Sequence, residues 1–213
     1  MPIVGIREVD VGDWSPSSDT IGESITVEAV DHRTQEKLFS GWKFSNQDVI
    51  SLSFEYVPTD GFGSVVPVKG SIEVRPDSGL LLVICDEDVE KVDQVIREFR
   101  KAVGDGIKVK KRFVIGREKI WRFLSSGEPV RFDVVTPFGG VQRVSLDNLS
   151  NQRSGVTLDD ARNNYPIDIA KIKFSNDGRE FSVRYFEDKL DIKTDEETDI
   201  EYVIQILESA ISN

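Results

Sequence analysis

Hydrophobic positions along the chain recur at two periods, and the change from one to the other marks the elements. Residues 3–10 (IVGIREVD) and 23–30 (ESITVEAV) are rich in β-branched side chains in partial alternation, which predicts strands. Lys37–Phe44 and Val49–Val57 predict two more. Within the second, Ser51-Leu52-Ser53-Phe54-Glu55-Tyr56 alternates cleanly, so one face is expected in a core and the other in water. Thr59–Ser64 reads as a turn, Ser71–Arg75 as a strand, Pro76–Gly79 as a turn and Leu80–Ile84 as a buried strand. The period then lengthens. Val89, Val92, Ile96, Phe99 and Val103 recur at three and four, the spacing of an amphipathic helix. Asp86 is the expected N-cap, with Glu87, Asp88 and Glu90 in the first turn, and Gly104 the expected stop.

The second half repeats this grammar. Ile107–Val114 predicts a strand and Gly116–Leu124 a short helix. Val130–Val135 and Val141–Leu146 form a hairpin around Thr136-Pro137-Phe138-Gly139-Gly140. Residues 147–164 are polar and read as a long loop with one helical turn at 158–163. Ile167–Phe174 and Glu180–Phe186 pair across Asp177-Gly178, a dipeptide that suits a tight hairpin turn. Leu190–Lys193 is a last strand. Thr194-Asp195-Glu196-Glu197 has the form of a capping box, opening a helix that runs to the end.

The two helical segments come into phase at a separation of 108 residues. Ile84 falls on Ile192, Asp86 on Thr194, Val92 on Ile200, Ile96 on Ile204 and Phe99 on Leu207. Upstream, Val74-Arg75 falls on Val183-Arg184, one residue further apart. The expected fold class is therefore α+β: a mainly antiparallel sheet with two long amphipathic helices packed on it. The lobes are two pseudo-repeated sheet-plus-helix units, 1–106 and 107–213. That order resembles, in layout alone, TATA-binding-protein-like architectures, in which duplicated halves form one molecule. The resemblance carries over no site residue.

Composition narrows the class. At 213 residues, with 38% hydrophobic content and 12 Phe, the chain can bury roughly 70% of its unfolded surface and needs no disulfide to hold a core. Cys85 is the only cysteine, which fits a reducing cytoplasm. The longest apolar run, Leu80–Cys85, is far shorter than a membrane span, and the first residues lack the layout of a signal peptide. No membrane partner is expected.

Catalytic motifs are missing from the sequence. His32 is the only histidine and reads as a surface turn residue in DHRTQ; Cys85 closes an apolar run and reads as an inert core thiol. One His and one Cys are too few for a Cys/His zinc site. There is no Walker loop and no Gly-x-Ser-x-Gly elbow. Among 38 acidic residues, Asp133, Glu180 and Asp188 beside Lys189 are the nearest to a metal-dependent nuclease set, but their spacing is undiagnostic. The expectation is a non-enzyme without metal or cofactor.

Charge supplies the one positive lead. The chain carries −11 overall, yet residues 107–122 (IKVKKRFVIGREKIWR) hold Lys108, Lys110, Lys111, Arg112, Arg117, Lys119 and Arg122 against Glu118 alone. An anionic partner is drawn to this stretch and repelled elsewhere. Strand alternation puts Lys108, Lys110 and Arg112 on one face; helical spacing makes Lys119 and Arg122 neighbours. Trp121 and Phe123 interleave as core residues or base-stacking platforms. The function expected is a non-catalytic binding protein that contacts DNA or RNA here. The alternative is a protein-interaction adaptor or homo-oligomeric subunit. In that case the basic stretch is neutralised by the acidic 191–213 segment or an acidic protein, and a loop tryptophan, Trp14, marks the interface.

Overall fold

The computed structural model describes residues 1–16, 20–21, 24–44, 46–58, 66–86, 88–146 and 156–212. It is a mixed α/β protein with mostly antiparallel sheet. Contacts divide the chain into two compact units, Met1–Phe113 and Val114–Asn213. The division falls after Phe113, not at 106, because Ile107–Val109 pairs with the first strand.

In the first unit the strands are β1 (Ile3–Val11), β2 (Thr20–Ile21), β3 (Ile25–Thr34), β4 (Asp48–Tyr56), β5 (Val68–Arg75), β6 (Leu80–Cys85) and β7 (Ile107–Val109), with helix α1 (Val89–Ala102) between the last two. All described pairings are antiparallel, in the order β1-β6-β5-β4-β3-β2, and β7 adds to the end of β1. The alternation read in β4 is real: Leu52, Phe54 and Tyr56 are buried, while Ser53 is exposed. Helix α1 buries Val92, Val95, Ile96 and Phe99 in one core with Leu52, Ile72 and Val83 of the sheet. Its approach is close. A Cβ on Gly5 of β1 would stand 2.6 Å from side-chain atoms of both Val92 and Ile96.

The sequence expectations need four corrections here. The N-cap of α1 is Asp88, whose carboxylate accepts the Lys91 N–H at 2.9 Å; Asp86 lies too near the end of β6, before the chain has turned out of the sheet. Lys37–Phe44 is not a strand. Its backbone closes turns, Trp42 N–H to the Phe39 carbonyl and Gln47 N–H to Phe44, and these fold Trp42 into the interior. His32 lies not in a turn but on β3, exposed, opposite Ile50. The strand beginning at Ile107 stops at Val109. The expected turn at Thr59–Ser64 lies outside the described residues.

The second unit holds α2 (Arg117–Leu124), β8 (Glu128–Val135), β9 (Val141–Ser145), β10 (Val156–Thr157), α3 (Leu158–Asn164), β11 (Ile167–Asn176), β12 (Arg179–Phe186), β13 (Lys189–Lys193) and α4 (Glu197–Ile211). Its strand order is β10-β9-β8-β11-β12-β13, antiparallel except for β9 with β10. Asp177 (φ 50°) and Gly178 (φ 79°) form the turn between β11 and β12, both with positive φ as a type I′ turn requires. Half of the polar 147–164 segment, residues 147–155, lies outside the described residues; the rest is β10 and α3, the latter capped by the Thr157 side chain accepting the Asp160 N–H.

A fifth correction concerns α4. It begins at Glu197 after an N-cap, Glu196, that makes no side-chain bond. Thr194 sits two positions too early to cap it. Its hydroxyl accepts the Glu196 N–H and donates to the Asp199 carboxylate at 3.0 Å. Asp199 is buried and also accepts from Asn176 (2.9 Å) and Arg179 (3.1 Å), which ties the β11–β12 turn to the first turn of α4.

Candidate functional site

The seven cations of the basic stretch lie in both units and meet two different environments. Those of the first unit stand on and just after β7. Ile107 and Phe113 are buried at either end, and Lys108, Lys110, Lys111 and Arg112 between them are exposed. Lys108 is the cross-strand neighbour of Asp10, so both side chains are on the same face of the sheet. The Lys110 N–H donates to the Glu8 carbonyl at 2.9 Å, and its ammonium pairs with the Glu8 carboxylate. The strand alternation that put Arg112 on the face of Lys108 and Lys110 ends at Val109, so Lys111 and Arg112 follow in a bend. Neither makes an ion pair among the described residues.

The cations of the second unit are on α2, and backbone carbonyls occupy them. Lys119 donates to the Ile211 carbonyl, and Arg122 to the Ala210 carbonyl at 3.3 Å, both at the C-terminus of α4. That helix has no basic residue of its own in its last turn. Two cations from α2 meet its negative end instead, where positive charge is stabilising. Arg117 donates to the Asn163 carbonyl. The sequence leads one to expect the basic strand against the acidic C-terminal segment; it is α2 that meets α4, and it does so through helix-end carbonyls and not through carboxylates.

The aromatic residues of the stretch are withdrawn from solvent. Trp121 is 3% exposed and packs edge-on to Phe132 at 5.1 Å, and Phe123 is fully buried. Neither offers a face to a base. Trp14 is likewise not an exposed loop residue: it is half-buried, with its ring perpendicular to Phe99 at 6.2 Å. Cys85 is buried and, as the only cysteine in the sequence, forms no disulfide within the chain.

Among the described residues no three His, Cys, Asp or Glu side chains converge where a metal ion would bind. Asp133 is buried between Arg131, whose Nε lies 2.8 Å away, and Arg143. The Arg131 hydrogen bond holds its carboxyl below the usual range against the opposing cost of burial. Lys189 is buried with its ammonium 2.9 Å from Asp188. Glu180 is exposed on β12. No helix among the described residues is long and apolar enough to cross a membrane.

No family model matches the chain, and no curated protein matches it significantly. The functional reading therefore stands on geometry alone.

One surface feature has no counterpart in the sequence expectations. Phe138 is 99% exposed at the tip of the β8–β9 hairpin, and Val130 and Val141 on the same hairpin are also exposed. A signal for it exists: an aromatic in a Pro-Phe-Gly-Gly turn has no neighbouring chain to cover it.

Proposed function

We propose that the protein is a non-catalytic binding protein that contacts nucleic acid through Lys108, Lys110, Lys111 and Arg112. The observation that carries this reading is the exposure of four cations in five positions, two of them without an ion pair among the described residues, in a chain of net charge −11. Two to four phosphate contacts give an affinity that falls about tenfold to a hundredfold between 50 and 200 mM salt. With no exposed aromatic on the stretch, contact is to the phosphate backbone and little sequence preference follows. Fluorescence anisotropy of labelled single- and double-stranded DNA and RNA across a salt series tests this. Salt-sensitive binding that Lys111→Glu with Arg112→Glu abolishes supports it; no binding at low salt overturns it.

Phe138 favours a second reading, a protein-interaction adaptor or homo-oligomer, since exposed aromatics serve as anchors at binding interfaces. Mass that rises with concentration in sedimentation and falls back in Phe138→Ser supports self-association.

The two-lobe repeat belongs to the same proposal. Helices α1 and α4 begin at Val89 and Glu197, the same 108-residue separation found in sequence, each after an antiparallel strand pair. The dissimilar caps, Asp88 with a side-chain bond and Glu196 without one, weaken that support. The single buried thiol suits a reducing cytoplasm.

A further inference from the structure

The second unit contains a pocket of about 270 Å³, partly open to solvent, formed where α2 meets the residues that lead into β11. Ile115, Ile120, Pro166 and Ile167 supply aliphatic surface, and Tyr165, Tyr185 and Trp121 supply rings. The volume lies just below the roughly 300–1,000 Å³ of sites for drug-sized ligands, which suits a single ring or a short branched chain.

The polar groups of the lining are mainly donors. Arg117 provides a guanidinium with five N–H groups, of which the Asn163 carbonyl engages one nitrogen. The indole N–H of Trp121 is buried and meets no acceptor among the described residues. An indole N–H is only a donor, and a buried donor is rarely left without an acceptor. Burial, and secondarily the charge of Asp188, push the Tyr185 phenol up to about 12, so it stays neutral and able to donate at neutral pH. Among the described residues no Asp or Glu lines the pocket. An apolar cleft whose described lining holds one cation and no carboxylate is complementary to an anion on an apolar body.

We propose that this pocket binds a small carboxylate on a single-ring or branched apolar body, its oxygens toward Arg117 and its body against Ile120, Trp121, Tyr165 and Ile167. The site is independent of the phosphate-contacting surface proposed above, since none of Lys108–Arg112 lines it. The chain's net charge of −11 disfavours indiscriminate anion adsorption, so preference for an acid over its neutral amide reports on Arg117.

The test is a ¹H–¹⁵N NMR titration of the full chain with phenylacetate and, separately, phenylacetamide. The chain has three tryptophans, so three indole N–H resonances; Trp121→Phe identifies the one that matters. The expected result is saturable movement of the Trp121 resonance with phenylacetate, with affinity about tenfold weaker for the amide and for Arg117→Gln. Tyr185→Phe, which keeps the ring, loses less. Absence of saturable movement with phenylacetate up to about 10 mM overturns the proposal. Equal affinity for acid and amide overturns the anion preference, and this comparison needs only the unaltered protein, so it holds even if Arg117→Gln fails to fold. A response unchanged in Lys111→Glu/Arg112→Glu separates this site from the nucleic-acid reading.

Discussion

Lys108–Arg112 and Arg117–Arg122 are both basic in sequence and differ in what their backbone does. The first group leaves a three-residue strand and bends, so its side chains stand in solvent with two carboxylates, Asp10 and Glu8, across from Lys108 and Lys110. The second group winds into α2, which aims Lys119 and Arg122 at the exposed carbonyls of a neighbouring helix end. An α-helix leaves its last four C=O groups without intrahelical partners, and α4 has no basic side chain in that turn. A cation that satisfies those carbonyls contributes to stability and is withdrawn from any ligand. A charged run in sequence is thus two populations: Lys119 and Arg122 are spent on a helix end, while Lys111 and Arg112 make no ion pair among the described residues.

The largest effect expected from this contrast is on binding. Lys111→Glu with Arg112→Glu is expected to weaken nucleic-acid affinity at 50 mM salt by about a hundredfold or more, whereas Lys119→Met with Arg122→Gln changes it by less than about threefold. Anisotropy on both double variants measures this, and equal losses would erase the distinction. Next in size is stability, where the order reverses. Lys119→Met with Arg122→Gln is expected to cost about 1–2 kcal/mol in urea unfolding, discounted because both side chains are partly exposed. Lys111→Glu/Arg112→Glu stays within about 0.5 kcal/mol.

Asp133 sharpens the comparison on the acidic side. Its hydrogen bond to Arg131 lowers its carboxyl in the folded state, so its contribution is fully present above the unfolded value of about 4 and is lost as pH falls through the lower folded value. Asp133→Asn is therefore expected to flatten the fall in stability between about pH 5 and pH 2, read by thermal unfolding. If the slope is unchanged, the Arg131 and Arg143 pairings carry no net weight. The smallest effect belongs to Phe138→Ser, expected within about 0.5 kcal/mol of the parent because the ring is 99% exposed. A larger loss would mean that the hairpin tip is held by the fold and is not a free anchor.

Much of the fold is legible in the sequence, element by element. The alternation in β4 and the Val92, Ile96 and Phe99 positions of the helical stripe point where their patterns direct them, while Val89 and Val103 at its ends are only half-buried. The Asp177-Gly178 turn has the positive φ values its sequence implies. Trp42 is buried from a chain of turns and not from the strand read over Lys37–Phe44, because a buried tryptophan in turns and one on a strand leave the same composition. Both helix starts fall two residues later than their sequences suggest. Asp86 and Thr194 are each good caps in isolation, and only the exit angle of the preceding strand disqualifies them. The basic stretch is visible at once. That Trp121 and Phe123 face inward is not decidable from a helix eight residues long. The pocket has no sequence signal, because its lining comes from separate stretches around 115–121, 165–167 and 185.

The alternating strands, the amphipathic helix, the tight hairpin turn, the strongly negative net charge and the position of the basic run all follow from the amino-acid sequence without any knowledge of the fold. Each depends on residues a few positions apart, or on composition alone. Which cations remain free, which rings are buried and where a donor is left without an acceptor are settled by tertiary packing. Those outcomes turn on partners such as the Ala210 and Ile211 carbonyls, which stand 88 and 92 residues from the side chains they receive. No local pattern specifies contacts across that separation.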